Sequence, residues 1–335
     1  MNGKEDGKEV TSSDPEGATE TINLTVTDFV LLGFHELPDF QLVFIFIFLV
    51  IYVATLVGNS LTTGLFCFDP HFHSPMYILL CNMSVLDMSF TSMVLPKLLD
   101  IFLTGNNVIS YHGCIAQVFF FVVLMVSEYF ILAAMAYDRY VAICHPLRYS
   151  YFMSLQDCFW MAWTSWSIGV IEGIFFTLLI SSCTFCRSNE VDHLFCDMKP
   201  LMMLSCSDTQ TIEMVIFVLG FIFGFVPSVM TLVSYIYIIS TILKINSKEG
   251  RHKTFSTCSS HLTVILFFYG TVLGMYMRPK SSYSMDQDRL FAILYAGVIP
   301  MLNPLIYSLK NQEVKKALCR IEKQLFFSKS SGPNN

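Results

Sequence analysis

Charge is scarce in this chain. Asp, Glu, Lys and Arg make up 14% of 335 residues while apolar types make up 54%, too little charge to clothe water-soluble cores of that size. The shortage excludes a soluble globular enzyme, and the lack of any basic stripe gives no footprint for nucleic acid. The net charge of −6 is no guide to partners, because nine acids precede Phe40 and leave the rest close to neutral. Catalytic signatures are missing too. There is no His-Glu-x-x-His or Gly-x-Ser-x-Gly, and the eight histidines are scattered through loops and termini, so the chain is not read as an enzyme. Internal repeats and paired interrupted spans, which would suggest a transporter, are not visible. A positively charged leader with a cleavage site is lacking at Met1, so the first span is expected to direct insertion itself.

What the chain has in quantity is long apolar runs. Seven are long enough to cross about 30 Å of hydrocarbon. They lie near 40–66, 76–103, 112–141, 158–180, 211–241, 258–277 and 289–309. The expected architecture is an all-α membrane protein: an extracellular tail over 1–39, a seven-helix bundle over 40–309 and a cytoplasmic tail over 310–335. With the N-terminus outside, 12 Lys and Arg face the cytosol and seven face outward, the asymmetry the positive-inside rule requires. Asn23-Leu24-Thr25, a sequon for N-glycosylation at Asn23, agrees with that orientation, whereas Asn82-Met83-Ser84 lies inside an apolar run and is discounted. After the seventh span, Val314, Ala317, Leu318, Ile321 and Leu325 alternate with Lys315, Lys316, Arg320 and Lys323, the pattern of a basic amphipathic helix on the inner leaflet lipids. The run Lys244–Lys253 reads as a basic loop between the fifth and sixth spans.

Polar residues within apolar spans are costly and mark function. Asn59 falls in the first span, Asp87 in the second and Glu128 in the third, eleven residues or about three turns before Arg139. Two carboxylates in one bundle share a proton, hold a cation or are kept apart. The third span ends Met135-Ala-Tyr-Asp-Arg-Tyr-Val-Ala-Ile-Cys-His-Pro-Leu-Arg-Tyr149, and Pro146 stops the helix there. The connection after the fourth span is about thirty residues long and carries Cys183, Cys186, Cys196 and Cys206, with Cys114 opening the third span. Untethered, such a loop would be mobile over the bundle mouth; disulfides would make it a lid, with spacing alone leaving the connectivity open. The fifth span holds Pro227 and Ser234-Tyr235, the sixth opens on Lys253-Thr-Phe-Ser-Thr-Cys-Ser-Ser-His-Leu262, and the seventh closes on Pro300-Met-Leu-Asn-Pro-Leu-Ile-Tyr307.

These motifs, in this order, together with Phe72-His-Ser-Pro-Met-Tyr77, closely resemble olfactory receptors of the tetrapod-type class, a branch of the rhodopsin-like G-protein-coupled receptors. The resemblance spans about residues 23–318; Met83 and Thr254 replace the usual leucine and alanine, and Cys183 is an extra cysteine. It implies disulfides between Cys114 and Cys196 and between Cys186 and Cys206. It selects a sodium ion, held by Asp87 and Glu128 with Asn59 and Asn303 nearby, with a shared proton as the competing account; no other metal or cofactor is implied. It assigns Asp138, Arg139, Tyr140, Tyr235, Asn303, Pro304 and Tyr307 to activation and G-protein coupling. Phe121, Val122, Met125 and Val126 lie three to five turns outward of Arg139 on one face, where related receptors line their pocket, whereas the spacing alone would mean only packing. Tyr276 offers that pocket a hydroxyl, and Asp197 is the nearby acid. The expected function is a plasma-membrane odorant receptor for a small hydrophobic volatile, coupled to the stimulatory olfactory G protein and cyclic AMP. An olfactory-type chemoreceptor outside the nose is the alternative, with an ion-coupled transporter behind it.

Overall fold

A computed structural model describes residues 27–33, 40–69, 72, 74–186, 188–276, 285–310 and 314. A bilayer offers the backbone no hydrogen-bond partner outside the segment itself, so the apolar runs become helices. Seven are long and apolar enough to cross: α1 Gln41–Phe68, α2 Pro75–Thr104, α3 Tyr111–Cys144, α5 Leu155–Ser181, α7 Gln210–Leu243, α8 Lys248–Tyr276, and a seventh composed of α9 Met285–Ile293, a π turn Leu294–Val298 and α10 Ile299–Lys310. Short helices α4 Tyr149–Phe152 and α6 Met198–Met203 lie in the connections. The expected helix bundle is therefore present. Asn23 and the tail helix proposed after residue 310 lie outside the described residues, except for Val314, which is helical and buried.

Local chemistry sets the ends. Ser154 and Asp157 form a reciprocal capping box that starts α5 at Leu155, three residues ahead of the expected 158. Gly105 ends α2 in the left-handed region at φ 74°, where a side chain would be strained. The largest correction is at the sixth span, which begins at Lys248 rather than 258, so most of the basic run Lys244–Lys253 is helix and not loop. Hydropathy marks where lipid ends. It does not mark where a helix ends, because Lys, Glu and Arg are good helix formers and carry α8 on into water.

The N-terminal segment is also more than a tail. Asp28–Leu31 forms β1, which pairs antiparallel with β2 Val108–Ser110 and parallel with β3 Glu190–Val191. Phe29 and Leu31 alternate inward and are fully buried, with Phe29 edge-on to Phe185 at 5.4 Å. Four residues are too few for a strand signal in sequence, and their partners lie about 80 and 160 positions away.

α3 is the central helix, packed on α2, α5 and α7. Its closest neighbour is α5, and glycine sets that distance: a Cβ on Gly169 would stand 2.5 Å from Ser127 Oγ and 2.6 Å from the Val123 carbonyl. Membrane helices lack a hydrophobic drive toward one another, so close approach at small residues is what holds such a pair. The large apolar side chains left exposed, such as Leu42, Phe46 and Phe217, face outward as a lipid-contacting belt.

Gly169→Leu is expected to cost about 1–3 kcal/mol through overpacking. It should lower the melting temperature of the detergent-purified protein, whereas Gly220→Leu, which has open space around it, should not. Equal melting of the two variants would show that the α3–α5 approach is not constrained at Gly169.

Candidate functional site

The seventh helix contains two prolines that each remove an amide. Pro300 leaves the carbonyl of Ala296 without its i+4 donor, and Pro304 leaves that of Pro300. Neighbouring helices supply the replacements. Thr91 Oγ1 on α2 shares its one proton between the Asp87 carbonyl of its own helix at 2.8 Å and the Ala296 carbonyl at 3.2 Å, and Asn59 Nδ2 on α1 donates to the Pro300 carbonyl at 3.1 Å. Gly58 lets α1 come close enough, since a Cβ there would lie 3.0 Å from Pro304 Cγ.

Asp87 and Asn303 join this chain of polar groups. Asn303 Nδ2 donates to Asp87 Oδ1 at 2.8 Å, and both side chains are buried. Among the described residues, Asp87 Oδ2, Asn59 Oδ1 and Asn303 Oδ1 have no hydrogen-bond partner. Each of these buried oxygens lacks a donor, a state that costs free energy. Glu128 is engaged differently: the Tyr295 hydroxyl donates to its Oε2 at 3.1 Å. The π turn makes that contact possible by inserting an extra residue per turn and burying Tyr295 against the bundle. Of the four residues expected at the ion, the structure joins Asp87 directly to Asn303, places Asn59 on the neighbouring carbonyl, and pairs Glu128 with a residue not anticipated.

Outward of Glu128 the bundle is aromatic. Phe121 packs against Phe90, Phe195 and Tyr295 with ring centroids 5.3–6.3 Å apart, and Tyr129 meets Phe268 and Tyr269 at 4.9 and 5.4 Å. The face expected to line a pocket divides here. Phe121 and Met125 belong to the main core, while Val122 and Val126 join a second apolar cluster with Phe176, Ile180, Cys196 and Met198. Asp197 caps α6 by accepting from the Met198 amide at 2.7 Å. The side chain of Tyr276 lies outside the described residues, as does that of Tyr307.

The lid closes this end. Disulfides link Cys114 to Cys196 and Cys186 to Cys206, with Cα atoms 5.3 and 5.9 Å apart, and Cys183 is free and buried. Gln117 ties the lid to two helices, accepting from the Cys196 amide at 2.8 Å and donating to the Met93 carbonyl at 3.2 Å. Arg289 at the start of the seventh helix pairs with Asp192 of the lid, and Lys199 lies 3.9 Å from Asp288. His193 is buried between these pairs and hydrogen-bonded through Nδ1 to the Phe195 carbonyl at 3.1 Å. Burial holds its imidazole below the ordinary 6.5, with Asp197 opposing the shift.

At the opposite end Asp138 is fully buried and accepts from Arg139 Nε at 2.9 Å and from the Tyr149 hydroxyl at 2.7 Å. Burial and the adjacent carboxylate push the Tyr149 phenol up, so it is the donor. Arg139 is thus folded back on its own helix. Tyr140 meets His145 Nε2 at 3.1 Å, and Tyr235 is buried with its hydroxyl unpartnered among the described residues.

Three contributors were not singled out from sequence. Thr91 and Tyr295 carried no signal beyond a polar atom within an apolar run, and their partners are set by the prolines and the π turn. Glu172 did carry one, a carboxylate amid the apolar Trp166–Ile180 stretch. Asn82, discounted as a glycan acceptor, is turned into the bundle, where its Oδ1 accepts from Trp166 Nε1 at 3.0 Å.

Comparison with known proteins gives a single answer. The olfactory receptor family profile matches residues 48–325. The chain is similar to olfactory receptor 5AR1 of Homo sapiens, 44% identical over 296 residues that cover 88% of this chain and 96% of that one. It is 47% identical to olfactory receptor 5B12 of Homo sapiens over 298 residues, covering 88% and 94% of the two chains. Olfactory receptor 5AP2 of Mus musculus is likewise 47% identical, over 297 residues that cover 88% and 93%.

The lid should be acid-sensitive. An imidazole held below its unfolded value leaves stability intact above pH 6.5 and removes it as pH falls through the native value, because the unfolded chain then binds the extra proton. Melting measured from neutral to mildly acidic pH is expected to fall less steeply in His193→Asn than in the unsubstituted protein. Parallel slopes would remove His193 as the cause.

Proposed function

The chain belongs to the olfactory receptor family, is a multi-pass membrane protein and not an enzyme, and we propose that it binds a small, mostly apolar odorant and activates a stimulatory, olfactory-type G protein. One observation carries the mechanism: Arg139 is held by its own buried Asp138 while Asp87, Asn59 and Asn303 each keep one buried oxygen without a partner. That combination reads as a resting state, with the arginine closed off and a cation-binding set in the bundle interior. The N-terminus lies outside by the Lys and Arg distribution, so the lid faces outward and Arg139 faces the cytosol.

Asp87, Asn59 and Asn303 would hold sodium, and the ion would offset the Asp87 charge; Glu128 is already bonded to Tyr295. An odorant enters beneath the lid near Phe121, Val122, Met125 and Val126, with Tyr276 as its hydrogen-bond anchor. It favours one arrangement of the sixth and seventh helices, and it shifts the equilibrium only by its differential affinity for the two states. The polar chain on the seventh helix transmits that change, because the contacts of Asn59, Thr91 and Asn303 move with Pro300 and Pro304. At the inner end Asp138 releases Arg139, which becomes available to the G-protein α subunit, with Tyr140, Tyr235 and Tyr307 lining the opening.

Cells expressing the chain with a stimulatory α subunit should raise cyclic AMP on challenge with an odorant panel, and Arg139→Ala should abolish the rise at equal surface staining. Asp87→Asn should remove the effect of replacing sodium by a large organic cation on agonist potency. A response that survives Arg139→Ala would disprove the switch, and a sodium effect that survives Asp87→Asn would disprove the ion site. Tyr276→Phe with an unaltered best-agonist response would remove that anchor.

A further inference from the structure

Six cysteines are free among the described residues, and they differ in what surrounds them. Cys158, Cys183 and Cys258 are buried, and Cys144 on α3 meets Thr241 Oγ1 at 3.2 Å. The remaining two sit on neighbouring helices and touch each other, because Cys81 of α2 makes a side-chain hydrogen bond with Cys67 of α1. Cys67 is exposed and Cys81 half-buried, so the contact lies on the outer seam of the bundle and not in its core. One cysteine at a helix end packs as a small apolar residue. Two in contact across a seam are a dithiol.

The packing of α1 on α2 makes this meeting a matter of register. The two helices run antiparallel, Phe48 stacking on Phe102 and Phe66 on Tyr77, and Ser60 Oγ meets Met88 Sδ at 3.4 Å. Cys67 lies seven residues, or two turns, beyond Ser60, and Cys81 lies seven residues before Met88. A seam that matches 60 with 88 therefore matches 67 with 81. Beside the thiols, the buried rings of Phe66, Tyr77 and Phe72 pack with centroids 4.7–5.3 Å apart, so the helix ends are held together without help from sulfur. Cys67 is one residue from the end of α1, the end that faces the cytosol by the Lys and Arg distribution. Thiols are kept reduced there, so the resting form is the dithiol.

We propose that Cys67 and Cys81 form a redox-sensitive site, which hydrogen peroxide converts into a disulfide joining α1 to α2 at the cytosolic edge of the bundle. One thiolate attacks a peroxide oxygen, the O–O bond breaks, and a sulfenic acid and water form. The second thiol attacks that sulfur, an S–S bond replaces the S–O bond, and a second water leaves. Two thiols thus give two electrons and two protons to one peroxide, which becomes two waters. Glutathione reverses the step by exchange through a mixed disulfide, and a second glutathione then releases the pair as glutathione disulfide. Once joined, α1 and α2 are held at one separation, and both helices serve carbonyls of the seventh through Asn59 and Thr91.

The test uses the full-length protein purified in detergent with glutathione, exchanged out of it and titrated with hydrogen peroxide. Free thiols are then blocked with N-ethylmaleimide, and the digest is read by mass spectrometry. Peptides carrying Cys67 and Cys81 should appear joined, two hydrogens lighter than their sum, and glutathione should separate them. The link should form roughly tenfold faster or more than in protein unfolded in urea and dodecyl sulfate, because the fold holds the thiols together. Oxidised protein is expected to melt higher than reduced protein. Cys67→Ser and Cys81→Ser should lose both the link and the melting shift, leaving a sulfenic or sulfinic acid on the remaining thiol. Where a variant fails to fold, the unsubstituted protein still decides the matter. Peroxide that leaves both cysteines open to N-ethylmaleimide, or takes each separately to sulfinic acid, would overturn the proposal. So would a link that forms equally fast in the unfolded chain, or one that leaves melting unchanged.

Discussion

The seventh helix has to satisfy two carbonyls that its own prolines orphan in a place without water. Pro300 and Pro304 make the requirement, and Thr91 of α2 and Asn59 of α1 meet it at 3.2 and 3.1 Å. An unpaired buried carbonyl would cost about 1–3 kcal/mol, so these contacts fix how three helices sit together. Gly58 follows from the same constraint, because a Cβ there would crowd Pro304 Cγ at 3.0 Å. Asn303 follows too, lying on the same turn as Pro304 and reaching Asp87 at 2.8 Å. The interior polar chain is thus a consequence of breaking one helix, and it is also the element best placed to change when that helix moves.

The lid obeys a different logic. In water its loop would have little reason to hold one shape, and the protein restrains it at several separate points: two disulfides, the Gln117 side chain, the pairs made by Arg289 and Lys199, and a three-stranded sheet that enlists the N-terminal segment. Cys114 and Gln117 bind the lid to the third helix, Asp288 and Arg289 bind it to the seventh, and the Cys186–Cys206 disulfide closes it on itself. Motion of the seventh helix is therefore felt at the lid through Asp288 and Arg289, and motion of the third through Cys114 and Gln117.

Much of this was legible in the residues. Apolar run length announced seven spans, since hydrocarbon thickness and helix rise leave little freedom. The sixth span begins ahead of its apolar run because its helix outlasts the lipid. Asp87, Glu128, Asn59 and Arg139 stood out because each is costly in an apolar run. Thr91 and Tyr295 did not, since a threonine or tyrosine in such a run is common and its role depends on what faces it.

By itself the sequence determined that this protein lives in a bilayer, how many times it crosses, and where its costly polar groups fall. Those follow from local composition and the dimensions of the membrane. The tertiary structure alone decided who meets whom: that Tyr295 is turned onto Glu128 by a π turn, that Asn59 and Thr91 serve carbonyls on the seventh helix, that Asp28–Leu31 is a strand, and that Glu172 of six buried carboxyls has no partner among the described residues. Partnership depends on distance and direction between segments far apart in the chain, and no local pattern of residues encodes either.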